Sequence, residues 1–245
     1  RESVAHLRWS GRPTGERPVL IAAFEGWNDA GDSATAAIAH LARRWEAEEF
    51  ATIDPEEFYD FTATRPLIQL HDGVHRSIDW PRNTFSWAHP ADTGGVVLLR
   101  GVEPQLRWRT FCAQVLEVAT AQLAASLGDA CVVAMIDEAG EHLVPRVFHH
   151  KDPYGEEVMR EIFLSGPVIL GAGIAGEVAA TGEPTNISGI PTDQMKASVR
   201  SEYQSYFDSF ATSSVLVVPI KTDGGVIGTI GLSREAPYTK SDQAL

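Results

Sequence analysis

The sequence predicts a chain of two characters: a layered α/β segment first, then an α+β segment built on an antiparallel sheet flanked by helices. Three observations predict this. Up to about residue 107 the apolar patterns alternate strand, helix and strand, the order of α/β layers. After residue 128 neighbouring strands are joined by short turns at 137–140 and 222–225, the order of hairpins. The composition also changes across residues 107–127. All six tryptophans (Trp9, Trp27, Trp45, Trp80, Trp87, Trp108) lie at or before the start of that stretch. All three methionines and all four lysines lie after its end. The stretch itself has apolar residues at i, i+3, i+4 and i+7, so it reads as an amphipathic helix, stopped by Gly128. It joins two segments of separate history, with the division placed at 119/120.

A chain of 245 residues fits one large or two ordinary domains, and with 44% hydrophobic residues it can bury a core. The net charge is −13. Up to Gly128 there are 12 arginines against 17 acids, and beyond it 8 bases against 16 acids. Neither half carries the basic surface of a nucleic-acid or anionic-membrane binder, and no apolar run has the length of a membrane span. The sequence starts without a signal peptide and without Met, so a longer N-terminus is expected. Cys112 and Cys131 sit in apolar settings without CxxC spacing and read as buried thiols of a reducing cytoplasm.

Taken in order, residues 1–17 read as a loose lead-in. The run PVLIAAF (18–24) is short, continuous and branched, which predicts a strand buried on both faces. A polar loop, EGWNDAGD (25–32), leads into a helix over 33–45, with Asp32 or Ser33 placed to cap it. Strand 50–53, a capped turn at 54–60, a hairpin over 67–80 through Asp72-Gly73, and strands 84–89 and 95–100 complete the segment. The loop 25–32 carries the most chemistry. A strand running through a loop into a helix is where open α/β sheets bind ligands. Glu25, Asn28, Asp29 and Asp32 there would repel phosphate and suit a hydroxyl, amine, cation or basic peptide. The bland alternative is a cap and turns. Glu103 and Arg107, in the loop after the last strand, would pair with each other or with this loop.

The segments PVLIAAFEGWNDAGDSATAAIAHL, FATIDPEEFYDF, the RP at 65–66 and LLRGVEPQLRWRTFC together resemble the proteasome assembly chaperone 2 family in its actinobacterial form. The resemblance covers about residues 17–119. It implies a three-layer α/β fold, chaperone-like rather than catalytic work, proteasome-related partners, and loops 25–32 and 101–107 side by side at the sheet edge. The family's second half is not recognisable after Ala119, so the three-layer segment is read as incomplete, with an unpaired strand edge.

In the second part, 130–136 and 142–150 read as paired strands and 155–164 as a helix. GAGIAG (171–176) opens a helix to Thr181, and Thr192 or Asp193 caps a longer helix through about Phe210. Strands 215–221 and 226–233 follow, and 239–245 begins a last helix. GAGIAG resembles a dinucleotide loop, but the strand before it is only PVIL, so a sharp entry to a helix packed close on a sheet is the better reading. His149 and His150 are adjacent on a strand and face opposite ways, which argues against a shared metal.

GIAGEV, TGEP, VPI and GVIG in this order resemble a GAF domain over about 120–245. The resemblance implies one antiparallel sheet, a pocket under residues 186–210, sensing of a small molecule, and homodimers. Asn186, Asp193, Tyr203, Tyr206 and Phe207 are its candidate ligand residues. The cyclic-nucleotide subset needs an Asp-Glu pair after Phe207 that is missing here, and bilin attachment needs a pocket cysteine. No cofactor, metal or catalytic set is expected. The leading expectation is a non-enzymatic sensing or dimerising module of a signalling protein. An assembly chaperone is the alternative, and a hydrolase or phosphorylase-like enzyme using the 25–32 loop is a second. Tyr206 and Phe207 should border a pocket of a few hundred Å3.

Overall fold

Branched and aromatic runs in the first hundred residues pair into a mixed five-stranded sheet. The structure, a computed structural model, describes residues 6–15, 18–91, 93–199, 201–239 and 242. They fall into two compact units, residues 1–115 and 116–245. The first unit holds β1 (Leu7–Trp9), β2 (Val19–Glu25), α1 (Ser33–Arg44), β3 (Glu48–Ile53), β4 (Leu67–His71), β5 (His75–Asp79), β6 (Asn83–Ala88) and β7 (Val96–Val102). The sheet order is β1-β3-β6-β7-β2, parallel only between β7 and β2. The inner face of α1, with Ile38 and Leu41, packs on Ala23, Val96 and Leu98. Phe58 and Phe85 are fully buried, and Phe111 packs edge-on against Phe58 and Phe24.

Three expectations change here. The lead-in is not loose throughout, because Leu7–Trp9 pairs antiparallel with β3. The run 18–24 is not buried on both faces. As β2 it occupies the sheet edge, leaving Val19 57% and Leu20 39% exposed, and no described strand pairs with its outer side. Cys112 is exposed and only Cys131 is buried, because the helical stripe around residue 112 turns Phe111 inward instead.

The hairpin β4–β5 turns on Asp72 and Gly73, both at positive φ, with Val74 N donating to the His71 carbonyl at 3.1 Å. Its register sorts the side chains by face. Gln69 bonds Asp79, and His71 lies 2.9 Å from Ser77, on one face. Ile68, Leu70 and Ile78 share the other face and are 53% to 68% exposed.

α2 (Trp108–Leu127) starts in the first unit and ends in the second. The second unit continues with β8 (Ala130–Ile136), β9 (His142–His150), α3 (Pro153–Leu164), β10 (Val168–Ile169), α4 (Gly173–Thr181), β11 (Thr185–Ile187), α5 (Thr192–Ser198), α6 (Gln204–Ser209), β12 (Ser214–Thr222) and β13 (Gly225–Arg234). All ladders are antiparallel, in the order β10-β9-β8-β13-β12-β11. One face, with Cys131, Leu216, Val218 and Leu232, packs on Ala124 and Leu127 of α2. The other receives α3, α4 and α6.

The long helix expected over 192–210 is broken into α5, a 3-10 turn at Ser201–Tyr203, and α6. Val199 leaves the helical region (φ −102°, ψ 163°) and turns into the wall of a cavity. No side chain caps α5: Pro191 holds the cap position, with Asp193 in the first turn. Apart from Thr239 and Asp242, the helix expected over 239–245 lies outside the described residues.

Candidate functional site

Strand alternation places Val132 and Ala134 of β8, Val215 and Val217 of β12, and Thr229, Gly231 and Ser233 of β13 on one face of the second sheet. Small residues at several of these places hold the helices off the sheet. Between them lies a cavity of about 250 Å3. Its roof is Met159, Ile162 and Phe163 of α3, residues 172–175 at the entry to α4, and Val199, Tyr203, Tyr206 and Phe207. No Asp, Glu, Lys, Arg or His is part of this lining.

Tyr206 is held from behind. Its hydroxyl is 3.0 Å from His150 Nε2 and 3.5 Å from Ser233 Oγ. Phe210 packs at a tilt against His150, ring centroids 4.6 Å apart. Gly155 permits this packing, since a Cβ there would meet the imidazole at 2.3 Å. Burial pushes the His150 pKa down and the Tyr206 pKa up, so both are neutral near pH 7. His149 points the other way, to Glu156 at 3.4 Å. Among the described residues no group of three or more His, Cys, Asp or Glu could hold a metal ion.

Of the predicted ligand residues, Tyr203, Tyr206 and Phe207 come together on the cavity wall. Asn186 and Asp193 do not. Asn186 accepts from Ser188 and donates to the Tyr238 carbonyl at 3.3 Å. Asp193 is exposed. The residues missed were Thr229, Ser233 and the backbone at 172–175. The readable signal was the absence of any Ser, Thr, Asp or Asn in GAGIAG to cap the helix it opens.

In the first unit two of the three carboxylates of the 25–32 loop, Glu25 and Asp29, have structural partners. Asp29, not Asp32, caps α1: it accepts from Ala34 N at 2.7 Å and Thr35 N at 3.3 Å, and from the Thr35 hydroxyl. That hydroxyl, with the two backbone donors, holds the Asp29 carboxyl below the usual carboxylate range. Asp32 cannot cap because it sits at φ 55° with its side chain unbonded to the helix. Asn28 lies exposed in the turn. Glu25 pairs with Arg100 at 3.3 Å. The 101–107 loop does lie beside this one, Glu103 N donating to Glu25 O at 2.9 Å. Arg107 pairs with Glu57. The loop is fixed further by Gln105 and Leu106 N–H groups on the Phe58 carbonyl.

The two units thus define an α/β segment with its polar loops tied down and an antiparallel sheet with an apolar cavity. A family model described as the PAC2 family matches residues 23–190, and the chain belongs to that family. The match passes residue 119 and takes in α2 through β11. A PAC2 family protein from Streptomyces avermitilis is 49% identical over 42% of this chain and 44% of its own, with a TM-score of 0.39. The proteasome-assembly chaperone homologue of Mycobacterium tuberculosis is 33% identical over 62% of this chain and 72% of its own, with a TM-score of 0.40. The GAF domain of a phosphoenolpyruvate-protein phosphotransferase from Coxiella burnetii is 16% identical over 54% of this chain and 73% of its own, at 0.42. TM-scores this low establish no shared function. The chain spans less than half the length of the Streptomyces protein it matches. No curated protein matches it.

Proposed function

We propose that this PAC2-family chain is a non-enzymatic recognition protein whose second unit binds a small molecule in the cavity beneath Tyr206 and Phe207. The cavity carries this reading: about 250 Å3 of mostly apolar space, walled by aromatics, in a core that would otherwise close-pack. A ligand that binds only the folded state raises the melting temperature. Screening small metabolites by thermal shift on the full chain tests this. The substitution Val132→Phe fills the cavity from its floor and should abolish any ligand-induced shift. A shift that survives in that variant would show that the ligand binds elsewhere.

A second reading has its own support. Ile68, Leu70 and Ile78 form an aliphatic hairpin face in the first unit, and Trp27 is 97% exposed. Partner-binding surfaces carry such groups. Together with the family, they favour an assembly-chaperone role. Capture of purified proteasome subunits, lost on Ile68→Thr/Leu70→Thr, tests it.

A further inference from the structure

We infer that the cavity takes a compact, largely apolar monocarboxylate, its carboxylate seated on the N-terminus of α4; this rests on the ligand-binding reading above. Two independent observations bear on this cavity wall. The first is the opening of α4. Gly171 N and Ala172 N are satisfied, by the Gly176 and Ile169 carbonyls at 2.9 and 3.0 Å. The helix then starts at Gly173 with Ala172 as its cap residue, and no side chain caps it. The first N–H groups of a helix have no partner within it. Residues 172–175 form part of the cavity wall, so these donors stand at an apolar space.

The second observation is Thr229. It is only 2% exposed, and strand alternation puts its side chain on the cavity face with Gly231 and Ser233. Its hydroxyl has no hydrogen-bond partner among the described residues. An unpartnered hydroxyl on a cavity wall can bond an occupant of that space. β13, which carries it, packs directly on α4.

Backbone donors, the positive end of a helix dipole and one hydroxyl suit an oxyanion. The rest of the lining is aliphatic and aromatic and suits a branched or ring-bearing body. No acidic side chain lines the cavity to meet an ammonium, so an amino acid fits less well than the acid without its amine. A nucleotide would bring more charge than these donors can hold.

The test is titration calorimetry on the full chain with phenylacetate and 4-methylpentanoate. Phenylacetamide, 2-phenylethylammonium, phenylalanine and ethylbenzene serve as comparisons. Both acids should bind, about tenfold tighter than the amide, which is the discrimination a partly buried helix terminus supplies. Ala172→Asp places the missing cap on α4, where the extended backbone of residue 172 accommodates it. It should hold or raise the melting temperature and reduce acid binding at least about tenfold by occupying the donors with its own charge. Thr229→Val should weaken binding about fivefold. Acid binding unchanged in Ala172→Asp, or amide, ammonium or ethylbenzene binding as tightly as the acids, overturns the carboxylate and leaves the cavity as a ligand site. Failure of every probe, ethylbenzene included, overturns both.

Discussion

Asp29 shows how one side chain decides whether a loop is chemistry or scaffold. Its carboxylate closes the start of α1, and losing it leaves the Ala34 and Thr35 donors unmet. Asp29→Ala should lower the thermal midpoint of the first unit by a few degrees, Asp29→Asn by less, and Asp32→Ala hardly at all, as read by far-UV dichroism. Sequence put the cap at Asp32 or Ser33 because these residues stand where the helix begins. The left-handed backbone at Asp32 (φ 55°) moved the task three residues back. His150 gives a second test. Its pKa is lowered from 6.5 by burial, so below pH 6.5 the unfolded chain takes up a proton that the folded chain resists. Stability should be at its full value above that pH and fall as pH drops through it. His150→Gln should flatten that part of a urea-midpoint against pH profile. Tyr206 and Phe207 were legible as cavity residues because large aromatics declare themselves by type. Thr229 and the α4 donors were not, since an unmet hydroxyl and unmet N–H groups are facts of neighbours rather than of residue type.

At the scale of elements, the entry to α4 is one of several close fits in the second unit. A Cβ on Gly176 would lie 2.5 Å from the Ile169 carbonyl, a backbone atom that cannot rotate aside. Gly176→Ala should therefore push α4 away from β10, cost about 1–3 kcal/mol in urea unfolding as overpacking does, and weaken binding of any cavity ligand. The GAGIAG run was readable as a close helix–sheet approach on these grounds. The hairpins were readable too, because Asp-Gly and Asp-Gly-Gly turns constrain the chain locally. What local pattern did not reveal was order in space. The apolar run of β2 looks like a central strand, yet it pairs on one side only. Nor did the spacing reveal the break at Val199, since Val199, Tyr203 and Tyr206 stand at i, i+4 and i+7, which a continuous helix would also bring to one face.

For the whole chain, the composition shifts near residues 107–127, and the structure divides at residues 115/116, within that stretch. The aliphatic face of β4–β5 is the main solubility liability: a two-stranded hairpin with bare edges and exposed Ile68 and Leu70 invites pairing with another copy. Ile68→Thr/Leu70→Thr should reduce concentration-dependent light scattering while leaving the dichroism spectrum unchanged. Scattering that persists would place self-association elsewhere.

The tryptophans have a practical consequence. Trp9 lies on β1, Trp45 at the end of α1, Trp87 on β6, and all six belong to residues 1–115. Indole emission is therefore a gauge of the first body alone. The phenols of Tyr203 and Tyr206 face the vacant space in the other. Four of the five tyrosines lie in the second unit, Tyr59 being the exception, so an occupant of that space should register in tyrosine difference absorbance without a label being attached.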